Sequence, residues 1–249
     1  MKIVLSLIIL ITGMSLPPAF GQDRFLAKDP PRSLLENLKR GNARFISGQL
    51  IHPHTDAERR KLAAEHNPDL YTFATILSCT DPRVPVELIF DLGVMDACVI
   101  RTPGNSCGKR EIDAIDYSTK HYSTPLIIIM GHNECELIKA ALNEEAASDL
   151  PASIIDFVKP VRKLVDRVRE ENPHLRGKAL ADRCAEEHVM EAIRKLFNGS
   201  PYILEKAQQS KILVVGAVYD IKSGRVDWIN HRRVWNLMRS IIAEKEKSK

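Results

Sequence analysis

Four short runs of almost continuous apolar residues punctuate the chain. Phe73-Ala-Thr-Ile-Leu-Ser-Cys79 stops at the turn formers Asp81-Pro82, and Ala97-Cys-Val-Ile-Arg101 stops before Thr102-Pro-Gly-Asn105. Pro125-Leu-Ile-Ile-Ile-Met130 leads into Gly131-His132, and Ile212-Leu-Val-Val-Gly-Ala-Val-Tyr219 is the last. A strand covered on one face alternates polar and apolar residues, whereas one covered on both faces cannot, so these runs predict strands of a mainly parallel, doubly covered sheet. Amphipathic stretches from Ile112 to His121, from Leu137 to Ala147 and across Pro151 to Asn198 predict the covering helices. Leu34, Leu35, Leu38 and Phe45 recur at helical spacing, which predicts one or two further helices over about 31–65. After Tyr219-Asp220, the turn Lys222-Ser-Gly224 sends the chain back through Arg225-Val-Asp-Trp-Ile229, a hairpin that adds an antiparallel edge strand. The expected fold is α/β, a mainly parallel central sheet flanked by helices, in a single domain over 22–249.

The first 21 residues stand apart. Lys2 precedes an apolar stretch from Ile3 to Ile11, and Pro17-Pro18-Ala19-Phe20-Gly21 supplies small residues ahead of Gln22. This is the pattern of a secretory signal peptide cleaved after Gly21, too short and too broken by proline to serve as a spanning helix. The expected mature protein is exported, periplasmic or secreted, and carries no membrane segment. Composition adds little bias: 44% hydrophobic, 27% charged, with 36 Lys+Arg against 32 Asp+Glu spread along 249 residues. Such a balance lacks the clustered basic footprint of a nucleic-acid binder. Export permits disulfides, but five cysteines at 79, 98, 107, 135 and 184 are an odd number in a long chain, so metal binding is the leading use for some of them. Cys98 reads as a core residue. Cys107 stays open among a core thiol, a pocket residue and half of a disulfide.

Ligands of parallel sheets collect beyond the carboxyl ends of the strands, and three polar clusters fall there. They are Cys79-Thr-Asp-Pro-Arg83, Thr102-Pro-Gly-Asn105 and Gly131-His-Asn-Glu-Cys135. Cys79 at one strand end, with His132 and Cys135 in His-x-x-Cys spacing at another, forms a three-ligand zinc set that leaves a fourth position open. Asp81 and Arg83 have two readings. They form a surface ion pair in a turn, or Arg83 holds Asp81 ionised so that the carboxylate accepts a proton beside the metal or fills the fourth position itself.

Taken together, Cys79-Thr-Asp-Pro-Arg83-Val-Pro, Glu87-Leu-Ile-Phe90, Arg101-Thr-Pro-Gly-Asn105 and Gly131-His-x-x-Cys135 resemble the β-class carbonic anhydrases. The similarity extends from Leu34 through Asn42-Ala-Arg44-Phe45 and His52-Pro-His54 to Gly216-Ala-Val-Tyr-Asp and Trp228. The resemblance implies a zinc enzyme interconverting carbon dioxide and bicarbonate, assembled as a homodimer or higher homo-oligomer. Carried over by position, Cys79, His132 and Cys135 are its zinc ligands and Asp81 and Arg83 its catalytic dyad.

This chain departs from the family pattern in places. Pro82 stands where Ser is usual, Thr102-Pro103 where Asn-Ala is usual, and Asn67-Pro68 near the place of a pocket glutamine. Glu136 replaces the usual Gly after the last ligand. It is either a first-turn glutamate facing solvent or a carboxylate beside the metal that reaches the fourth zinc position, competes with Asp81 for Arg83, or adds negative charge that raises the pKa of zinc-bound water. Two other functions are set against hydration: a zinc-binding homologue without hydratase activity, and a hydrolase of another small linear substrate such as carbonyl sulfide or carbon disulfide.

Overall fold

The computed structural model describes residues 28–143 and 151–247; the signal-peptide segment lies outside them. Two helices come first, α1 (Pro31–Ser47) and α2 (Ala57–Glu65), inside the stretch where helical spacing placed them. The sheet follows as β1 (Ala74–Cys79), β2 (Ala97–Thr102), β3 (Leu126–His132), β4 (Leu213–Tyr219) and β5 (Val226–Trp228). Its order is β2-β1-β3-β4-β5, with the first four strands parallel and β5 antiparallel at the edge. The intervening helices are α3 (Val86–Ile89), α4 (Lys109–His121), α5 (Glu136–Leu142), α6 (Ala152–Glu171), α7 (Gly177–Gly199) and α8 (Pro201–Gln208), with α9 (His231–Lys247) last. No described helix is long and apolar enough to cross a membrane.

Every residue of β1 and β3 is buried, which is why these strands read as unbroken apolar runs. Side chains alternate between the faces. Leu77, Ile127, Ile129 and Val214 pack with Val189, Ile193 and Leu196 of α7 and Leu237 and Ile241 of α9. Ile76, Ile128, Met130 and Val215 pack on the other face with Leu34 and Leu38 of α1, Phe73 and Phe90. A third cluster joins α5, α6 and α7 through Leu137, Val161, Val165 and Cys184, and it borders Cys79 and Cys135.

β2 differs from its neighbours. It is an edge strand, and its residues 97–100 are only half-buried, so Cys98 is half-buried rather than a core residue. All five cysteines are free thiols, and Cys107 is a buried member of the α7 and α9 core.

Asn42 of α1 ties the first helix to the hairpin. Its amide donates to the carbonyls of Ile89 and Gly224 at 3.2 and 2.8 Å, and its oxygen accepts from the Val226 amide at 3.0 Å. The hairpin turn is thereby pinned from below.

Candidate metal centre

Parallel register brings the site together. Cys79 is the last residue of β1 and His132 the last of β3, its immediate neighbour, while Cys135 caps the start of α5. Their ligand atoms lie within 4.8 Å of one another, and all three residues are buried. The Nδ1 of His132 lies 2.8 Å from the Asn133 carbonyl, which can only accept, so Nδ1 carries the proton. Nε2 therefore presents a lone pair, and it is buried with no hydrogen-bond partner.

The sulfurs are poised in the same sense. Cys79 Sγ accepts from the amides of Asp81 and Gly104 at 3.4 and 3.3 Å. Its pKa is drawn far below the ordinary thiol value, first by the hydrogen bond from Cys135 and then, against burial, by His132 and the Asp81 amide. Cys135 is pushed up in turn, because a second thiolate beside the first, in a buried place, is unfavourable. Two crowded sulfurs and an orphaned imidazole nitrogen are a donor set that suits a soft or borderline divalent cation. Gly104 can supply its amide because it adopts φ +62°, a conformation that disfavours side chains, and a Cβ there would also collide with Leu137.

Asp81 borders the cluster. Its Oδ2 lies 3.9 Å from His132 Nε2. Arg83 grips the carboxylate with both arms of its fork, Nε on Oδ1 at 3.0 Å and a terminal nitrogen on Oδ2 at 2.6 Å, while its backbone amide adds a bond to Oδ1 at 2.9 Å. That arrangement holds the Asp81 pKa at about 2, the Arg83 side chain being the main cause. The Arg83 guanidinium also donates to the Glu134 carbonyl at 3.1 Å, joining the loop after β1 to the loop that carries Cys135.

Glu136 does not enter the donor set. Its side chain is 71% exposed and turned to Lys139 at 3.1 Å, and it lies 3.7 Å from Arg83, farther than Asp81 does. The solvent-facing alternative accounts for it, with a weak pull on Arg83 remaining.

Two residues outside the anticipated site support it. Arg101, read in the sequence as a strand end and as part of the family pattern but given no role, donates to the carbonyls of Cys79 and Asp81 at 2.9 and 2.6 Å and so shapes the loop between them. His188 of α7 is buried behind Cys79, and burial pushes its imidazole pKa down to about 4 against the pull of the Gly104 carbonyl. Its place on the apolar face, one turn after Cys184 and beside Val189, was the available signal.

The family model described as carbonic anhydrase matches residues 74–226. A carbonic anhydrase of Mycolicibacterium smegmatis is 31% identical over 203 residues, 81% of this chain and 94% of that protein. Carbonic anhydrase 2 of Mycobacterium tuberculosis is 32% identical with the same coverage. Among solved structures, a β-carbonic anhydrase of the fungal pathogen Aspergillus fumigatus superposes with a TM-score of 0.61 at 20% identity, covering 84% of this chain and 96% of the other. One of the tetrameric β-carbonic anhydrases of Sordaria macrospora gives 0.60 at 23% identity, covering 80% and 98%. Sequence kinship over most of the chain and the shared sheet lead to one conclusion: this protein belongs to the β-class carbonic anhydrase family.

Proposed function

We propose that this protein is a zinc enzyme catalysing the reversible hydration of carbon dioxide to bicarbonate and a proton. The observation that carries the proposal is the convergence of Cys79 Sγ, Cys135 Sγ and the unpartnered Nε2 of His132 beside an ionised, fork-held Asp81. Those three atoms are the ligands, and Asp81 and Arg83 are the catalytic dyad. A zinc ion held by these three residues would supply Lewis acidity, bringing the ionisation of water towards neutral pH and so providing a nucleophile for the carbon of carbon dioxide.

The chain's own residues do the rest. Two thiolates would offset most of a bound cation's charge, so orientation of the reacting water by hydrogen bonding would matter more here than at an all-imidazole site. Asp81 Oδ2, at the border of the cluster, accepts that hydrogen bond. Arg83 keeps the carboxylate charged and fixed in direction, and Arg101 fixes the backbone on either side of the turn. The buried cluster around Leu137, Val161 and Val165 shields the sulfurs from bulk water.

The assembly is a homo-oligomer, a reading supported by the tetrameric structural relative. The leader pattern over residues 1–21 supports export. Metal analysis with a stopped-flow hydration assay tests the function: about one zinc per chain and catalysed hydration are expected. Zinc without hydration would leave a metal-binding homologue, and absence of zinc would sink the assignment. Light scattering and amino-terminal sequencing of the exported protein, expected to begin at Gln22, test the assembly and the leader.

A further inference from the structure

His132 owes its orientation to the residue that follows it. The Asn133 carbonyl accepts from His132 Nδ1 at 2.8 Å, and that single bond decides which nitrogen faces the sulfurs and in which direction. Asn133 is itself buried and held by three further bonds, all to the carboxyl end of the neighbouring strand β4 and the turn beyond it. Its amide donates to the Tyr219 carbonyl at 3.0 Å, its Nδ2 donates to the Asp220 carboxylate, and its Oδ1 accepts from the Ile221 amide at 3.0 Å. Every one of these partners belongs to the end of β4 or the turn that follows.

That turn is rigid in its own right. The Asp220 amide donates to the Arg225 carbonyl at 2.8 Å, the Gly224 amide to the Asp220 carbonyl at 2.9 Å, and the Ser223 amide to Asp220 Oδ1 at 2.7 Å. Asn42 of α1 clamps the turn's closing residues from below. Asp220 is held below the ordinary carboxylate range, chiefly by Ser223, so it stands opposite Asn133 as an anion.

We infer that Asn133 and Asp220 are positioning residues for His132: the β4–β5 turn sets the angle at which Nε2 meets the metal, through the Asn133 peptide. The inference rests on Cys79, His132 and Cys135 being the metal ligands. An asparagine is required because the position needs one donor and one acceptor on a single short side chain, the donor towards Asp220 and the acceptor towards the Ile221 amide. Groups that orient a ligating imidazole through its second nitrogen tune affinity and geometry at the metal.

The pair can be reversed, and that provides the test. Asn133→Asp sets two carboxylates against each other, Asp220→Asn leaves an acceptor in place, and the double variant restores one amide and one carboxylate with polarity exchanged. Full-length zinc-loaded proteins would be followed for zinc loss to excess colorimetric chelator, and cobalt-substituted samples for their visible ligand-field bands. Asn133→Asp is expected to release zinc about 10–100-fold faster and to shift the cobalt bands, in line with the general cost of outer-sphere changes. Asp220→Asn should stay near the parent, and the double variant should return to it on both readouts.

A parent-like Asn133→Asp, or a double variant no better than that single change, overturns the inference. So does a lowered melting temperature with unshifted cobalt bands, because a merely structural stitch would produce that. Should Asn133→Asp yield no folded protein, Asp220→Ala replaces it, with faster zinc release and shifted bands expected and parent-like behaviour fatal. A parent that takes up no metal refutes the metal-centre proposal itself, which keeps the two failures apart.

Discussion

The two ends of the central strands bury polar groups in opposite ways. At the amino end, just before β2, Asp96 is 2% exposed and fully engaged. Its carboxylate accepts from the His54 ring at 2.7 Å, from Arg59 at 3.1 Å and from the Gly93 amide at 2.8 Å, and Arg59 also donates to the Val94 carbonyl at 2.8 Å. At the carboxyl end, Cys79, His132 and Cys135 are buried to a similar degree, yet Nε2 has no partner and the two sulfurs press on each other. Since buried polar groups are normally paired, a saturated cluster is explained by the fold it pins, and an unsaturated, convergent one calls for a ligand. The comparison separates the two clusters without reference to any relative. It assigns His54, whose neighbour His52 is exposed, to fold positioning rather than chemistry.

The comparison is broken most severely at the carboxyl end. Cys79→Ser or His132→Ala should reduce bound zinc from about one per chain to almost none and abolish hydration, as read by elemental analysis and stopped flow. Next comes Asp81→Asn, expected to retain zinc but to lower hydration by about 100-fold or more, because an amide can neither accept a proton as the carboxylate does nor take the Arg83 fork. Unchanged turnover would remove Asp81 from the mechanism.

At the amino end the effect should fall on stability alone. Asp96→Ala leaves Arg59 buried and uncompensated, at a cost of about 3–5 kcal/mol in urea unfolding, with zinc content unaltered. Loss of zinc in that variant would mean that the two ends are coupled.

His188 sharpens the contrast through pH. Its folded pKa of about 4 lies below the ordinary 6.5, so the unfolded chain binds the proton first as pH falls. The stability contributed by the neutral ring is complete above about pH 6.5 and is lost as pH falls towards 4, to a total of about 3 kcal/mol. The stability of the parent relative to His188→Gln should therefore fall as pH drops from about 6.5 towards 4; a constant difference across that window would show that folding leaves the His188 pKa unshifted. The smallest effect belongs to Glu136→Gly. With its carboxylate turned to Lys139, the variant should change hydration by no more than about fivefold, the scale of an exposed ion pair. A larger rise, with an activity profile moved to lower pH, would return Glu136 to the metal's surroundings.

Much of this was legible in the residue order. The unbroken runs ending at Cys79 and Met130 announced strands buried on both faces, and β1 and β3 are buried throughout. The Lys222-Ser-Gly224 turn announced the antiparallel edge. Cys79, His132 and Cys135 were legible as a group because strand ends on one side of a parallel sheet share a location whatever the strand order. The half-burial of Cys98 was not, because an apolar run does not say whether its strand is central or at an edge. Nor was the orientation of Glu136, since a first-turn position on a helix fixes the Cα and leaves the side chain to its neighbours.

What the sequence alone determined is therefore local and periodic: which segments become strands and helices, which faces they bury, and which reactive residues stand at strand ends. Periodicity carries that information because burial acts on each element through its repeating geometry. Only the tertiary structure decided which groups end up satisfied. Asp96 meets His54 and Arg59 from helices and loops some 40 residues earlier, and Asn133 meets Asp220 from 87 residues away. His132 Nε2 is left without a partner, facing the two sulfurs. Pairings at such separations depend on how layers dock rather than on any neighbouring residue, so the order of the chain named the candidates and the packing determined which of them remained free to bind.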